Sequence, residues 1–447
     1  MLNTDKIRKF FPAIKYGRIL SNNAASTQVP AQLLDLLKRL IVKYDNVHRG
    51  QSQSSIETTE MFESSYDTIA QFIGAPSRRN IILYRNTTEA INSVMYSLMT
   101  EFNDGDNVVT TFMEHNSNYV PWYGLTKEIL PRYGVGVECR IAKFDKETGQ
   151  LDLEHLKSIV DEKTKLICCA GASNFLGTKN PVKEIKAIAD SSGYCQPNGE
   201  KRTYLLIDGA QMVPNVFVDV KELGVDFLAW SFHKMMAPFG VGVLYGREEL
   251  LEKMKPFLYG GDMIAEGKVT PEKVEYNALP WKFTAGTPNI LGTILSAQSL
   301  RLLMDFALNP GKNLYYMTEK KLDIADIKMT MDFVESHEKA LIGEALTILA
   351  QIPSLKIYGP KDPGARTCLV AFNHPDISPF EIAEELNKLD IESRAGCHCA
   401  TLAHHYYELN PPASCRLSFY IYNNIDDVRK VCTAVKKIIE NNQLHTN

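Results

Sequence analysis

The sequence predicts an α/β protein built on a mostly parallel sheet, and three observations carry that prediction. Short uninterrupted apolar runs recur through the first half of the chain, the pattern of strands buried on both faces. Longer amphipathic stretches separate them, long enough to be covering helices. Residues capable of chemistry stand just after several of these runs, at the edge where open α/β sheets bind ligands. The chain has 447 residues, enough for one large and one smaller domain.

Asn80 to Leu83 reads as a strand and Thr88 to Leu98 as the helix that follows it. Further strands are read at Asn107 to Thr111, Lys165 to Ala170, Tyr204 to Ile207, Phe227 to Trp230 and Val241 to Tyr245. Ser191 to Arg202 is polar and turn-rich, a surface loop ahead of the Tyr204 strand. Between Ala297 and Glu335 the pattern becomes helical and laced with charge. From Leu355 the rhythm changes to a strand at Leu369 to Phe372, a helix near Pro379 to Leu389 and a strand at Cys415 to Tyr420. The expected division is a segment 1–25 packing with the smaller domain, a large domain 26–310 and a small α/β domain 311–447.

Hydrophobic residues make up 45% and charged residues 23%, with a net charge of −4, which is ordinary globular composition. A mildly acidic chain argues against nucleic acid or an anionic membrane as partner. No uninterrupted apolar run approaches the roughly 18 residues of a spanning helix. The N-terminus carries charge throughout and lacks a signal peptide's apolar stretch. The expected compartment is therefore the cytoplasm. Nine cysteines, an odd number without dense spacing, fit free thiols in that compartment.

The strongest local feature is Ser231-Phe232-His233-Lys234, just after an apolar strand. Most lysines are solvated. One held at the carboxyl edge of a sheet and desolvated loses proton affinity and becomes a nucleophile toward an aldehyde. The strand Leu205-Leu206-Ile207 ends in Asp208, followed by Gly209-Ala210-Gln211. A strand-end aspartate is often a turn residue. At the same sheet edge as Lys234, it would instead keep a pyridine nitrogen protonated, so that the ring withdraws electrons from a substrate carbon. Arg85-Asn86-Thr87-Thr88-Glu89-Ala90 lies at a strand-to-helix junction. Thr87 or Thr88 is expected to cap that helix, and the same N-terminus offers N–H groups and a positive dipole end to a phosphate.

In this order the three features resemble the class V aminotransferase family, fold type I of the pyridoxal-phosphate enzymes. Asn22-Asn23-Ala24-Ala25-Ser26, Met113-Glu114-His115, Ser173-Asn174-Phe175-Leu176-Gly177 and Ala285-Gly286-Thr287-Pro288-Asn289 are similar to further family segments. So are Arg394-Ala395-Gly396-Cys397-His398-Cys399-Ala400 and Cys415-Arg416-Leu417-Ser418. The resemblance runs from about residue 18 to 440 and is strongest to the group II, SufS-type cysteine desulfurases (selenocysteine lyases). It implies a large domain around a mostly parallel seven-stranded sheet, a smaller C-terminal α/β domain, pyridoxal 5'-phosphate as cofactor and a homodimer.

The resemblance also implies roles. Lys234 would carry the cofactor as a Schiff base, Asp208 would pair with its ring nitrogen and Gln211 with its phenolic oxygen. The His115 ring would stack on the cofactor and take part in catalysis. Thr88, Ser231 and His233 would hold the phosphate with the Thr87 backbone, and Thr287 would reach a phosphate across the dimer. Asn174 and Arg416 would grip the substrate carboxylate, a task a guanidinium performs bidentately, with Arg394 beside them. His48 and Arg49 would line the substrate entrance. Cys399 would take sulfur from L-cysteine as a persulfide, leave alanine and pass the sulfur to an acceptor protein, with L-selenocysteine as a second substrate. Arg394 and His398 are candidates for lowering the thiol pKa.

The chain departs from that pattern at four places. Cys397 stands where a histidine is typical, Phe232 and Ala237 where glycines usually flank the lysine turn, Thr284 where a carboxylate is common, and Asn116 where a second histidine is frequent. Two other readings stay open. One keeps the cofactor but makes the reaction that of an aminotransferase, a sulfur amino-acid β-lyase or an epimerase. The other is a metal-binding regulatory protein using Cys397, His398, Cys399, His404 and His405, although their spacing matches no standard zinc pattern and no metal is expected.

Overall fold

The computed structural model describes residues 2–48, 50–238 and 240–446, the last four by their backbone alone. Seven strands form the main sheet: Ile81–Tyr84 (β1), Asn107–Thr111 (β2), Glu138–Ala142 (β3), Thr164–Ala170 (β4), Tyr204–Asp208 (β5), Phe227–Ser231 (β6) and Gly242–Gly246 (β7). Their order is β1-β7-β6-β5-β4-β2-β3, and only β7 runs against its neighbours. The strands read from sequence stand within one or two residues of these bounds.

Along β4, Leu166 and Cys168 enter one apolar core while Ile167 and Cys169 enter another on the opposite face. The sheet is thus covered on both sides, which is why its strands read as continuous apolar runs. The strand that no such run announces is β3. It lies at the sheet's edge and only Ala142 is buried, so its sequence lacks the signature of a central strand.

The register decides where the chemistry goes. Ala170, Asp208 and Ala229 are neighbours across β4, β5 and β6. A short turn, Phe232–Lys234, follows β6 directly. Asp208 and Lys234 therefore emerge at one carboxyl edge. At the same edge Tyr84 and Ser231 flank Gly242.

Beyond the main sheet, the Ile290–Leu308 helix is buried along almost its whole length against the Gln53–Phe72 helix. It is long and apolar enough to span a membrane by composition alone, yet it sits inside the fold. A second sheet follows, of Lys356–Tyr358 (β8), Leu369–Asn373 (β9), Arg394–Gly396 (β10) and Ser414–Ser418 (β11), antiparallel throughout in the order β8-β9-β11-β10. The Ile324–Leu349, Pro379–Lys388 and Ile425–Thr446 helices cover it around a separate apolar cluster. The N-terminal segment touches both parts. Ile19–Leu20 pairs with Ile391–Glu392, Arg8 bonds Asp427 at 2.5 Å, and Phe11 packs on Phe306 and Tyr422.

A side chain at Gly242 has no room. A Cβ there would lie 2.3–2.7 Å from the Asn86 backbone at the start of the Thr87 helix. Gly242→Ala is expected to lower unfolding free energy by about 1–3 kcal/mol, read by urea denaturation, with the Thr87 helix start displaced from Ser231.

Candidate active site

The Thr87–Leu98 helix starts immediately beyond β1, and its cap is Asn86, whose Oδ1 accepts from the Glu89 N–H at 3.0 Å. This corrects the expectation that Thr87 or Thr88 would cap it. An asparagine with extended backbone stands one position earlier and caps at least as well as threonine. Both threonines are thereby placed in the first turn, at the positive end of the helix dipole. The Thr87 N–H donates to Ser231 Oγ at 2.8 Å, and the two hydroxyls are 2.6 Å apart. Thr88 Oγ1 lies 2.7 Å from Ser117 Oγ.

The lysine turn is tied to the N-terminal segment. The His233 carbonyl accepts from Ser26 Oγ at 3.0 Å and from the Thr27 N–H at 2.9 Å. Burial pushes the Lys234 amine down to about 8; Arg416 and Arg394 push the same way while Asp208 opposes them. Asp208, 5% exposed, accepts from the Ala210 N–H at 2.9 Å, and burial holds its carboxyl above the usual carboxylate range. Gln211 donates one amide N–H to the Ala24 carbonyl at 2.7 Å, leaving its other polar valences for a ligand.

His115 Nδ1 accepts from the Ser117 N–H at 3.0 Å. Its ring proton is therefore on Nε2. Burial, with Lys234, Arg394 and Arg416 nearby, pushes the ring down to about 3, so it remains a neutral donor.

Lys234, Asp208, Gln211, His115, Thr87, Thr88, Ser231 and His233 share a cavity of about 290 Å³ with Asn174, Arg394, His398 and Arg416. Among the described residues, Asp208 is the one acid in its wall, against the basic side chains of Lys234, Arg394 and Arg416. Arg394 and Arg416 stand opposite each other on β10 and β11. Like charges in that position repel, and neither forms an ion pair among the described residues. Arg416, 1% exposed, donates to the Asn174 carbonyl at 2.7 Å, and Asn174 Nδ2 donates to the His398 carbonyl at 2.7 Å. Such a cavity is built to receive anions.

Cys399 is not in the cavity wall but next to it, with Arg394 Nη2 donating to its sulfur at 3.7 Å. Gly396, His398 and Cys399 all have positive φ, so the loop makes a tight left-handed turn. Asn116 holds it in place. Its N–H donates to the Cys399 carbonyl at 2.6 Å, and its side chain meets Thr401. Thr401 Oγ1 lies 3.6 Å from Cys397 Sγ. Phe232 is fully buried in the main core, which gives this departure a packing role. His398 does not supply a cation to the thiol. Burial, with Arg416, His404 and Arg394 around it, pushes its pKa far down, and it stays neutral.

Some expected residues are not brought to the cavity. His48 lies in a second depression of about 830 Å³, against Trp281 and within 3.6 Å of Glu63 and 3.8 Å of Asp262. Thr287 is exposed beside Gly286. Arg49 lies outside the described residues. Among the described residues no group of three or more His, Cys, Asp or Glu gathers as metal ligands.

One residue of the site has no assigned role in the sequence reading. Glu114, fully buried, accepts from Thr111 Oγ1 at 2.6 Å, Asn118 Nδ2 at 2.6 Å and the Ala170 N–H at 3.0 Å. It pins the His115 turn to the ends of β2 and β4, and burial pushes its carboxyl up to about 8. An acid directly before the motif histidine is the sequence signal for it.

The Aminotransferase class-V family profile matches residues 19–325 and 313–431. The chain belongs to that family. Within it, the cysteine desulfurase of Haloferax volcanii is 36% identical over 418 residues, covering 93% of this chain and 88% of that protein. The apo cysteine desulfurase of Thermococcus onnurineus superposes with a TM-score of 0.84 at 29% identity, covering 99% of each chain. The Escherichia coli cysteine desulfurase CsdA, in an S-sulfonic acid form, superposes at 0.82 with 27% identity, covering 98% of this chain and 99% of that one. The fold is fold type I of the pyridoxal-phosphate enzymes, and the chain is an enzyme of the class-V family.

The Lys234 environment yields a pH prediction. Reaction of the apo-protein's Lys234 with a small aldehyde, trapped by borohydride and read by peptide mapping, should rise with pH through a midpoint near 8. Asp208→Asn should move that midpoint down, because the carboxylate that favours the ammonium form is gone.

Proposed function

We propose that this chain is a cysteine desulfurase that moves the sulfur of L-cysteine onto Cys399 and releases L-alanine, using pyridoxal 5'-phosphate held on Lys234. The observation that carries the reading is one cavity in which Lys234, Asp208 and the facing Arg394–Arg416 pair meet, with the Cys399 sulfur against Arg394.

The residues present fit the cofactor. Its phosphate suits the start of the Thr87 helix with Ser231 and His233, a helix N-terminus with added donors. Asp208 suits a pyridinium N–H, since a buried carboxylate needs a positive partner. The remaining Gln211 amide valences suit a phenolic oxygen, and the neutral His115 ring suits the flat face. The cofactor supplies the electron sink that makes the substrate Cα–H acidic.

The chain's own groups do the rest. Arg416 and Arg394 bind the substrate carboxylate, and Asn174 orients Arg416 through its carbonyl. Lys234 Nζ, nearly half neutral around pH 8, accepts the Cα proton. Cys399 Sγ then attacks the substrate sulfur. The Sγ–S bond forms, the Cβ–S bond breaks, and Cβ is protonated, so that L-cysteine and a thiol become L-alanine and a persulfide. His115 offers an Nε2–H as a donor in the same space. The left-handed loop anchored by Asn116 presents the thiol beside the cavity.

Thr287 and His48 act at the site of a second copy in a homodimer. The exposure of Thr287 and the open depression beside His48 support that arrangement. The persulfide then passes to an acceptor protein. The nine cysteines are all free, which suits the reducing cytoplasm.

An aminotransferase would not need Cys399. Cys399→Ser should keep the bound-cofactor absorbance while sulfide and alanine formation from L-cysteine fall about a hundredfold or more. Retained turnover would move the chain to the aminotransferase reading. Lys234→Ala should abolish borohydride fixation of the cofactor to the chain.

A further inference from the structure

Two cysteines share one tight turn. Cys397 follows β10 directly, and its carbonyl accepts from the Ala400 N–H at 2.8 Å, which closes a four-residue turn over Cys397, His398, Cys399 and Ala400. His398 and Cys399 at its centre have φ of 52° and 57°, the left-handed pair of a type I′ turn. His398 is buried and bonds Ser414 Oγ at 3.0 Å, which fixes the middle of the turn. Cys397 and Cys399, on either side of it, are half-buried free thiols. Two residues of extended chain span roughly 7 Å, and a closed turn shortens that. A disulfide bridges Cα atoms about 4.4–6.8 Å apart, which includes the shortened span.

Each sulfur has its own donor. Arg394 Nη2 serves Cys399 at 3.7 Å. Thr401 Oγ1 serves Cys397 at 3.6 Å, and that hydroxyl accepts in turn from Asn116 Nδ2 at 3.3 Å. With the amide on its oxygen, the hydroxyl's own proton is given to the sulfur. An inert thiol needs no such donor, whereas an attacking thiolate accepts one. Asn116 and Cys397 are both departures from the family pattern, and the structure joins them through Thr401.

We propose that Cys397 is a resolving thiol that discharges the Cys399 persulfide as sulfide when no acceptor takes it, and that Thr401 is the positioning residue for its sulfur. The proposal rests on the cysteine desulfurase reading and adds a second exit for the sulfur. The Cys397 thiolate attacks Cys399 Sγ. The Sγ–Sγ bond forms, the bond from Cys399 Sγ to the outer sulfur breaks, and the electron pair leaves with that sulfur as hydrosulfide. Persulfide plus thiol thus become disulfide plus hydrogen sulfide. The outer sulfur is reduced and the Cys397 thiol is oxidised, so no outside oxidant enters. Hydrosulfide is a weaker base than an alkyl thiolate and leaves faster, which directs the attack to the inner sulfur. A small dithiol then reduces the disulfide and returns both thiols.

The test is a single turnover of holoenzyme with one equivalent of L-cysteine, without oxygen, reductant or acceptor. Alanine and sulfide are measured, and the peptide carrying both cysteines is read by mass spectrometry after alkylation. The parent should release nearly one sulfide per alanine and yield that peptide unalkylated and lighter by two hydrogens. Cys397→Ser and Cys397→Ala should keep the bound-cofactor absorbance and the parent's alanine yield. Both should retain the extra sulfur on Cys399 and release about tenfold less sulfide. Thr401→Val should slow sulfide release about threefold with the alanine yield unchanged, and Thr401→Ser should restore the parent rate. A persulfide that persists on Cys399 in the parent, extra sulfur found on Cys397, or equal sulfide release from the Cys397 variants would overturn the proposal. Alanine without sulfide in the parent sinks the proposal alone and leaves the desulfurase reading standing. If neither parent nor variants form alanine, that reading fails and takes the proposal with it.

Discussion

A lysine amine buried opposite a single buried carboxylate, with two guanidiniums behind it, is the constraint on which the site depends. Burying Lys234 among like charges is unfavourable for its ammonium form, and Asp208 only partly offsets that. The amine is therefore poised close to neutrality while remaining attached to a rigid sheet edge. The positive balance of the wall is completed only by a ligand that brings negative charge. In the proposed function, a phosphate at the Thr87 helix and a carboxylate at Arg394 and Arg416 would supply it.

That electrostatic frame is held by two long-range ties. The N-terminal segment reaches across to the lysine turn through Ser26 and Thr27 and to β11 through Asn22 and Asn23. The Cys399 loop is fastened to the His115 turn through Asn116. Groups from the two sheets thus converge on one cavity although each sheet has its own apolar core. Glu114 performs the same service within the main sheet by joining the His115 turn to β2 and β4. The exchange of a frequent histidine for Asn116 has a clear physical sense here. An amide both donates and accepts, so one side chain meets the N–H and the hydroxyl of Thr401 together.

Much of this was legible along the chain because it depends on local order. The central strands are apolar on both faces, so they announce themselves, and strand-end positions of Asp208 and Lys234 follow from where those runs stop. β3 was not legible, since an edge strand needs neither face fully buried. The helix cap was assigned one residue too late because Asn86 and the two threonines are all good caps, and only backbone geometry chooses among them. The neutrality of His398 was also hidden. Beside a cysteine it looks like a source of positive charge, and only its burial near two arginines makes it the opposite.

By itself the sequence determined the α/β class, the order of the motifs and the kinds of groups available, because periodicity and strand-end chemistry are properties of neighbouring residues. Which of those groups face one another was decided by the tertiary structure alone. The opposition of Arg394 and Arg416, the anchoring of Cys399 by Asn116 and the neutrality of His398 all arise from groups brought together by the fold. Each depends on distances of a few ångströms and on desolvation, which no spacing along the chain encodes.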